Sequence, residues 1–283
     1  MFQRLSIGWE LAKQSINVLK LDKELLLFPA LSGLSCLAVL ASFAVPLFFS
    51  GTLQTIADNP DGAVENVLLY VGLFLFYFIN YFIVIFFNSA LVACAVIRLK
   101  GGDPTVSDGF GAAMARLPQI AGWAVVSATV GLILKVIESR SERVGEIVAG
   151  LLGMAWSITT FFVVPVLVIE GVGPIESVKR SVSIMRQSWG ESLGANWGIG
   201  FVVFLMMLVG ILPLVGGGML LASGQAVLGG TLLVLGIVLL LAVSLISSAL
   251  NTIILAALYI YAAEGQIPNG FDSQMIQTAF APK

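Results

Sequence analysis

The sequence predicts an all-α, polytopic transmembrane bundle, and two observations support this prediction. Of the 283 residues, 58% are hydrophobic and 11% are charged, whereas a soluble domain has roughly 45–50% apolar and about 25% charged residues. The apolar residues also form runs long enough for a helix to cross the roughly 30 Å hydrocarbon core of a bilayer. Because so few charged side chains cannot cover a folded chain of this length, most of its surface is expected to face lipid.

Six apolar runs approach or exceed the roughly 20 residues that a spanning helix requires. They cover residues 25–50, 67–97, 120–136, 147–169, 197–221 and 227–263. Each is expected to be helical, because lipid cannot satisfy exposed backbone groups and the runs are too long for barrel strands. The alternative to six spans is an extra span or a re-entrant turn near Gly229-Gly230, within residues 216–248.

The basic residues predict the orientation of the spans. Eleven of the 14 lysines and arginines lie in the N-terminal segment, the 98–118 and 170–194 loops and the C-terminal tail. The 51–66 loop contains acids and no base. By the positive-inside rule, both termini are then cytoplasmic. Charges run through the whole of the first 24 residues, which is not the pattern of a cleavable signal peptide.

A short pattern recurs at the predicted cytoplasmic end of each even-numbered span. The chain reads LKGGDP at 99–104, IEGVGP at 169–174 and AEGQIP at 263–268. Glycine often ends a helix in a left-handed conformation, and proline favours the first turn of the next helix. Three equivalent Gly-x-x-Pro patterns therefore indicate a repeated unit.

An amphipathic segment is predicted before each pair of spans. Residues 2–19, 104–117 and 174–193 place apolar side chains, including Trp9 and Ile175, three or four positions apart. A basic amphipathic helix anchored by tryptophan is typical of the headgroup plane; a short helix packed on its own loops is the alternative. The residues predicted to contact headgroups are Arg4, Lys13, Arg116, Lys179, Arg180 and Arg186.

These patterns predict one transmembrane domain over residues 1–283, built as three repeats of an interfacial amphipathic helix plus a transmembrane hairpin. The repeats cover about 1–100, 104–170 and 174–264, and a tail at 265–283 resembles the start of a fourth. Polar residues recur inside the even-numbered spans: Asn80, Asn88, Ser89, Thr159, Thr160, Asn251 and Thr252. We expect them to form hydrogen bonds between helices; the alternative is a polar path where the repeats meet.

The residue inventory argues against most enzyme chemistry. The chain has no histidine, so it lacks a Ser-His dyad and a zinc site of the HExxH type. Cys36 and Cys94 lie in apolar runs and are expected to be small buried residues. We therefore expect no enzyme, no metal and no cofactor. With a net charge of −2 and no dense basic face, nucleic-acid binding is not expected either.

Three segments resemble an uncharacterised family of bacterial six-span membrane proteins: DKELLLFPALSG at 22–33, IESVKRSVSIMRQSWGESLG at 175–194 and GFDSQMIQTAFAPK at 270–283. The resemblance covers essentially the whole chain and implies a bacterial plasma (inner) membrane. The chain is more loosely similar to the membrane domain of glycerophosphodiester phosphodiesterases, in which a Ser-Trp-like element precedes each hairpin. Ser188-Trp189-Gly190 matches that element, whereas Leu117-Pro118 departs from it.

Two functions are compatible with these features. The first is a non-enzymatic membrane scaffold or accessory protein that contacts membrane lipids, a protein partner or a second copy of the chain. The alternative is a channel or transporter for a small neutral or amphipathic solute, with a path past Asn80, Asn88, Thr159 and Asn251. Neither resemblance supplies functional residues that would decide between them.

Overall fold

A computed structural model describes residues 2–51, 67–139, 144–189 and 196–272, and they are helical apart from short connections. The helices in chain order are α1 Phe2–Leu21, α2 Leu27–Phe49, α3 Val67–Leu99, α4 Val106–Ala115, α5 Leu117–Ser139, α6 Val144–Thr159, α7 Val163–Ile169, α8 Pro174–Trp189, α9 Asn196–Ala222 and α10 Ala226–Tyr259. A 3₁₀ turn at Lys23–Leu26 precedes α2, and a π-helical turn at Ile260–Glu264 follows α10. The all-α prediction is confirmed.

Several segments are long and apolar enough to cross a membrane. Within the described residues they are Lys23–Phe49, Tyr70–Leu99, Leu117–Glu138, Ile147–Ile169 and Ala226–Glu264. A shorter apolar stretch, Met207–Ala222, lies in α9, at the place of the predicted fifth span. Large apolar side chains such as Leu34, Phe49 and Val227 are exposed, as expected for helices in contact with lipid.

The chain has no re-entrant turn near Gly229-Gly230. Helix α9 ends at Ala222, and α10 begins at Ala226 after a turn in which Gly224 has a φ of 84°. From there α10 continues without a break to Tyr259, through both glycines. The re-entrant alternative is therefore wrong for this stretch.

The fourth span has the predicted bounds but is broken into two helices. Helix α6 ends at Thr159, and α7 begins at Val163. Pro165, in the first turn of α7, has no N–H to donate to the carbonyl four residues earlier. The hydroxyl of Thr160 donates back to the Trp156 carbonyl at 2.7 Å, a bond that often bends helices. Together these residues account for the break, which apolar length alone did not predict.

The chain forms two compact units, each built from segments that are apart in the sequence. The first comprises residues 1–29, 94–106 and 184–283, and the second 30–93 and 107–183. In the first unit, α1 packs on α9 and α10, which pack on each other. In the second unit, α5 packs on α6, and the stacked rings of Trp123 and Trp156 lie 5.5 Å apart.

In the α9–α10 hairpin, each helix has two glycines, seven residues apart, that lie against the other helix. They are Gly210 and Gly217 in α9, and Gly229 and Gly236 in α10. A Cβ atom on Gly217 would lie 2.9 Å from the Gly229 carbonyl oxygen, and one on Gly229 would lie 2.7 Å from the Leu221 nitrogen. The two backbones therefore touch, as small residues permit in membrane helix pairs.

The amphipathic helices bury part of their predicted apolar stripes, including Ala12, Ala113 and Met185, together with small residues beside them. Gly109 and Ala113 are buried in α4, and Ser177 and Ser181 are buried in α8. Both pairs begin three residues after the start of their helix. In contrast, Trp9 of α1 and Ile175 of α8, which belong to the predicted stripes, are 56% and 71% exposed. Each helix therefore packs one part of its apolar face on the protein, such as Leu19 of α1 and Ile184 of α8, and leaves another part exposed.

Candidate functional site

The three Gly-x-x-Pro patterns end helices as predicted. Their glycines all have positive φ: Gly101 at 89°, Gly171 at 70° and Gly265 at 68°. Pro174 is the first residue of α8, and Pro104 lies two residues before α4. After Pro268 the chain makes a turn at 269–270. Most of the predicted fourth repeat, which follows Pro268 in the tail at 265–283, lies after residue 272, outside the described residues.

A buried ion pair lies at the first of these helix ends, in the first unit. The Arg98 guanidinium, in the last turn of α3, donates to both carboxylate oxygens of Asp22, which follows α1. It also donates to Asp103. The Asp22 side chain is 9% exposed, whereas that of Asp103 is 92% exposed. We call these three residues the Asp22 cluster; it links the end of α1 to the end of α3.

The segment after α10 docks onto the same end of α3. The Asn269 backbone N–H donates to the Leu99 carbonyl at 2.8 Å, and Lys100 pairs with Glu264 at 2.8 Å. Gly101 makes room for this segment, because a Cβ atom there would lie 2.9 Å from the Asn269 side-chain nitrogen. The Gly-x-x-Pro patterns at 101–104 and 265–268 therefore lie next to each other and are joined by the Lys100–Glu264 ion pair.

In the second unit, Arg116 covers the carboxyl end of α7. Its Nε donates to the Val168 carbonyl at 3.4 Å, and Gln119 donates to the Gly171 carbonyl at 3.4 Å. A Cβ atom on Gly171 would lie 2.5 Å from the Arg116 Cζ. A cation at this position interacts favourably with the unpaired carbonyls and the negative end of the helix dipole. Arg116, predicted to contact headgroups, thus also has a contact within the protein.

The other predicted headgroup residues have different surroundings. Arg180 pairs with Glu170 at 3.0 Å and is 41% exposed. Lys13, Lys179 and Arg186 are exposed. The side chain of Arg4 lies outside the described part of the chain. Two of the predicted headgroup residues, Arg116 and Arg180, therefore contact other residues of the protein. The other three described ones are exposed.

Ser181 provides a hydrogen-bond acceptor at the break in the fourth span, a role that the sequence did not predict. The Phe162 backbone N–H, between α6 and α7, donates to the Ser181 Oγ at 3.1 Å. Both residues are 0% exposed. A buried backbone N–H without a partner is costly, so this bond from α8 supports the broken helix. The helix-breaking Pro165 was the available signal, but its partner lies on a different helix.

We expect Ser181→Ala to lower the free energy of unfolding by about 1–3 kcal/mol, because it removes the buried hydroxyl that accepts from the Phe162 N–H. Ser183→Ala, on the same helix and only half-buried, is the matched control and should change stability little. Thermal unfolding in detergent would measure both variants. Equal stabilities for the two variants would contradict the role given to Ser181.

The polar residues of the spans mostly bond within their own helices. The Asn80 amide donates to the Phe76 carbonyl at 2.8 Å, and the Thr252 hydroxyl donates to the Ser248 carbonyl at 3.0 Å. Thr159 and Thr160 likewise donate to the preceding turn. In each of these four residues the side-chain donor thus reaches a carbonyl about one turn earlier in its own helix.

The remaining polar residues have varied surroundings. Ser89 is fully buried, and its hydroxyl has no partner among the described residues. Asn88 is half-buried, and Asn251 is exposed. In the described ranges, no group of three or more acids and cysteines is placed to hold a metal ion. These positions therefore supply no assembled polar site within either unit.

Long apolar helices with charged side chains gathered at several of their ends define a multi-pass helical membrane protein. Residues 67–270 match the family of unknown function DUF6159, and the chain belongs to this family. The matched range includes all three Gly-x-x-Pro patterns. No curated protein matches the chain significantly, so the looser resemblance to the phosphodiesterase membrane domain stays a prediction.

Proposed function

We propose that the protein spans the bacterial plasma membrane six times, with both termini in the cytoplasm. Helix α9, with 27 residues, would be the fifth span, since 1.5 Å per residue makes it longer than the roughly 30 Å hydrocarbon core. The distribution of bases supports the orientation, because the N-terminal segment and the segments around the three Gly-x-x-Pro patterns together hold 11 of the 14.

Within this topology, we propose a non-enzymatic scaffold or accessory protein whose amphipathic helices hold anionic lipid headgroups. The observation that supports this proposal is that some basic side chains are paired with carboxylates and others are not. Arg98, Lys100 and Arg180 are paired with carboxylates at helix ends. Lys13 on α1, and Lys179 and Arg186 on α8, are exposed and form no ion pair among the described residues. Such bases near a membrane surface attract anionic headgroups.

The proposal is tested by the association of lipids with the reconstituted protein. Electron paramagnetic resonance with spin-labelled phosphatidylglycerol and phosphatidylcholine measures the preference for the anionic lipid. Replacing Lys13, Lys179 and Arg186 together by Gln should weaken that preference about tenfold or more, since each base near the surface contributes about 1 kcal/mol. The control is Lys135→Gln, because Lys135 is paired with Glu138 at 3.0 Å and is predicted to lie on the opposite side.

Two results would overturn the proposal. One is a wild-type protein that shows no preference for phosphatidylglycerol and yields no partner or second copy after crosslinking. The other is solute flux across protein-containing liposomes that is lost when Asn88 and Asn251 are replaced by Leu, which would support the channel instead.

A further inference from the structure

The first unit contains an apolar groove of about 400 Å³ between α1, the 3₁₀ turn that follows it and α10. Its apolar lining consists of Ile16, Leu19, Leu26, Val243 and Ile246. This volume lies within the roughly 300–1,000 Å³ of small-molecule sites. A lining of aliphatic side chains favours a hydrocarbon chain as the occupant.

Two lysines complete the groove and give it a charge. Lys20 and Lys23 contribute to its lining, and both are exposed. Lysine side chains can lay their aliphatic stems along an apolar surface while the ammonium group reaches water. Within the described residues neither lysine forms an ion pair, whereas the neighbouring Asp22 is engaged by Arg98. Glu24 is exposed beside them, so the site keeps a net positive charge.

The lysines also lie at the start of the first candidate span. The first candidate span, Lys23–Phe49, begins at one of them, and Lys20 lies in the last turn of α1. The boundary between the aqueous and apolar parts of this segment therefore passes close to both ammonium groups. An anionic headgroup at the membrane surface would meet them there.

We propose that this groove binds an anionic glycerophospholipid, with one acyl chain against the aliphatic lining and the phosphate between Lys20 and Lys23. The proposal rests on the membrane-surface function proposed above and adds a defined lipid site to it. An apolar floor beside two cations complements an amphiphilic anion. A free phosphate would make no contact with the aliphatic side chains of the groove. A neutral apolar solute would make no ionic contact with the two lysines.

Photocrosslinking tests the site in the full chain. The protein is reconstituted in phosphatidylcholine nanodiscs with phosphatidylglycerol that carries a diazirine in its acyl chain, and labelled peptides are identified by mass spectrometry. We expect labels in peptides containing Leu26 and Ile246. Replacing Lys20 and Lys23 together by Gln should reduce this labelling about tenfold or more. Lys135→Gln is the control, because Lys135 is exposed, is paired with Glu138, does not line the groove and is not among the bases assigned to headgroups.

A second variant tests the acyl-chain half of the site. Ile246→Phe adds volume inside the groove and leaves both lysines in place, so labelling at Leu26 should fall several-fold. Thermal unfolding of each variant verifies that it is folded. Labelling that is equally strong with diazirine-bearing phosphatidylcholine and unaffected by the lysine substitutions would overturn the inference, because it indicates ordinary lipid around the protein.

The outcomes for the groove and for the wider function can be told apart. If wild-type protein prefers spin-labelled phosphatidylglycerol but the groove peptides are not labelled, the groove inference is wrong and the proposed function stands. If the groove is labelled and depends on Lys20 and Lys23, but the Lys13, Lys179 and Arg186 variant keeps the full lipid preference, the groove stands and the role given to the amphipathic helices is wrong.

Discussion

Replacing Asp22 by Asn is expected to lower the free energy of unfolding by about 1.5–3 kcal/mol, the usual net contribution of hydrogen bonds to charged groups, because the pair is partly buried and Arg98 keeps Asp103 as a partner. The Arg98 side chain is 20% exposed, so water compensates only part of the lost charge. The introduced amide could accept one hydrogen bond from Arg98 but would bring no negative charge. Denaturation by increasing mole fraction of sodium dodecyl sulfate, followed by circular dichroism, measures the loss.

Asp103→Asn is the matched control, because it removes the same charge from the same arginine. The Asp103 side chain is 92% exposed, and an exposed ion pair contributes about 0–1 kcal/mol. The structure therefore predicts a large difference between two identical substitutions. Equal losses at the two positions would show that the Asp22 cluster does not depend on burial.

The second large effect is expected at the α9–α10 contact. Gly229→Ala should destabilise the hairpin by about 1–3 kcal/mol, the range seen when a methyl group is forced into a filled space. The new Cβ atom would meet the Leu221 nitrogen and the Gly217 carbonyl oxygen, which are backbone atoms that cannot rotate away. Unfolding in the same detergent series measures the change.

The adjacent Gly230 provides the control for Gly229. A Cβ atom on Gly230 would meet nothing within 4 Å, and alanine is favoured over glycine inside a helix by roughly 0.5–1 kcal/mol. Gly230→Ala should therefore be neutral or stabilising. Gly217 and Gly218 form the same kind of pair on α9, with Gly218 facing open space. Stabilisation by Gly217→Ala or Gly229→Ala would contradict direct backbone contact.

The helices themselves could be predicted from the sequence, because the signals that form and end them are local. Runs of apolar residues predicted α2, α3, α5, α9 and α10 to within a few residues at each end. The Gly-x-x-Pro patterns predicted three helix ends, since a left-handed residue is easily accessible only to glycine. Local signals also suggested amphipathic helices at α1, α4 and α8.

Contacts between distant segments were decided only by the tertiary structure. Arg98 and Asp22 are 76 positions apart, and no local pattern pairs this aspartate with this arginine. The same holds for Phe162 and Ser181, because a serine on α8 accepts a hydrogen bond from the backbone at the break between α6 and α7. Glycines in α9 and α10 were visible in the sequence, but which of them face the partner backbone depends on how the two helices are rotated.

The multi-pass membrane class follows from the sequence alone, because a chain with 58% hydrophobic and 11% charged residues has too few charges to make a water-facing surface. The positions of the charges along the chain also predict where helices end. What the tertiary structure decided is which charges neutralise one another and which stay available. Arg98 and Lys100 are paired, whereas Lys20 and Lys23 border an apolar groove, because burial and proximity depend on the three-dimensional arrangement of the helices.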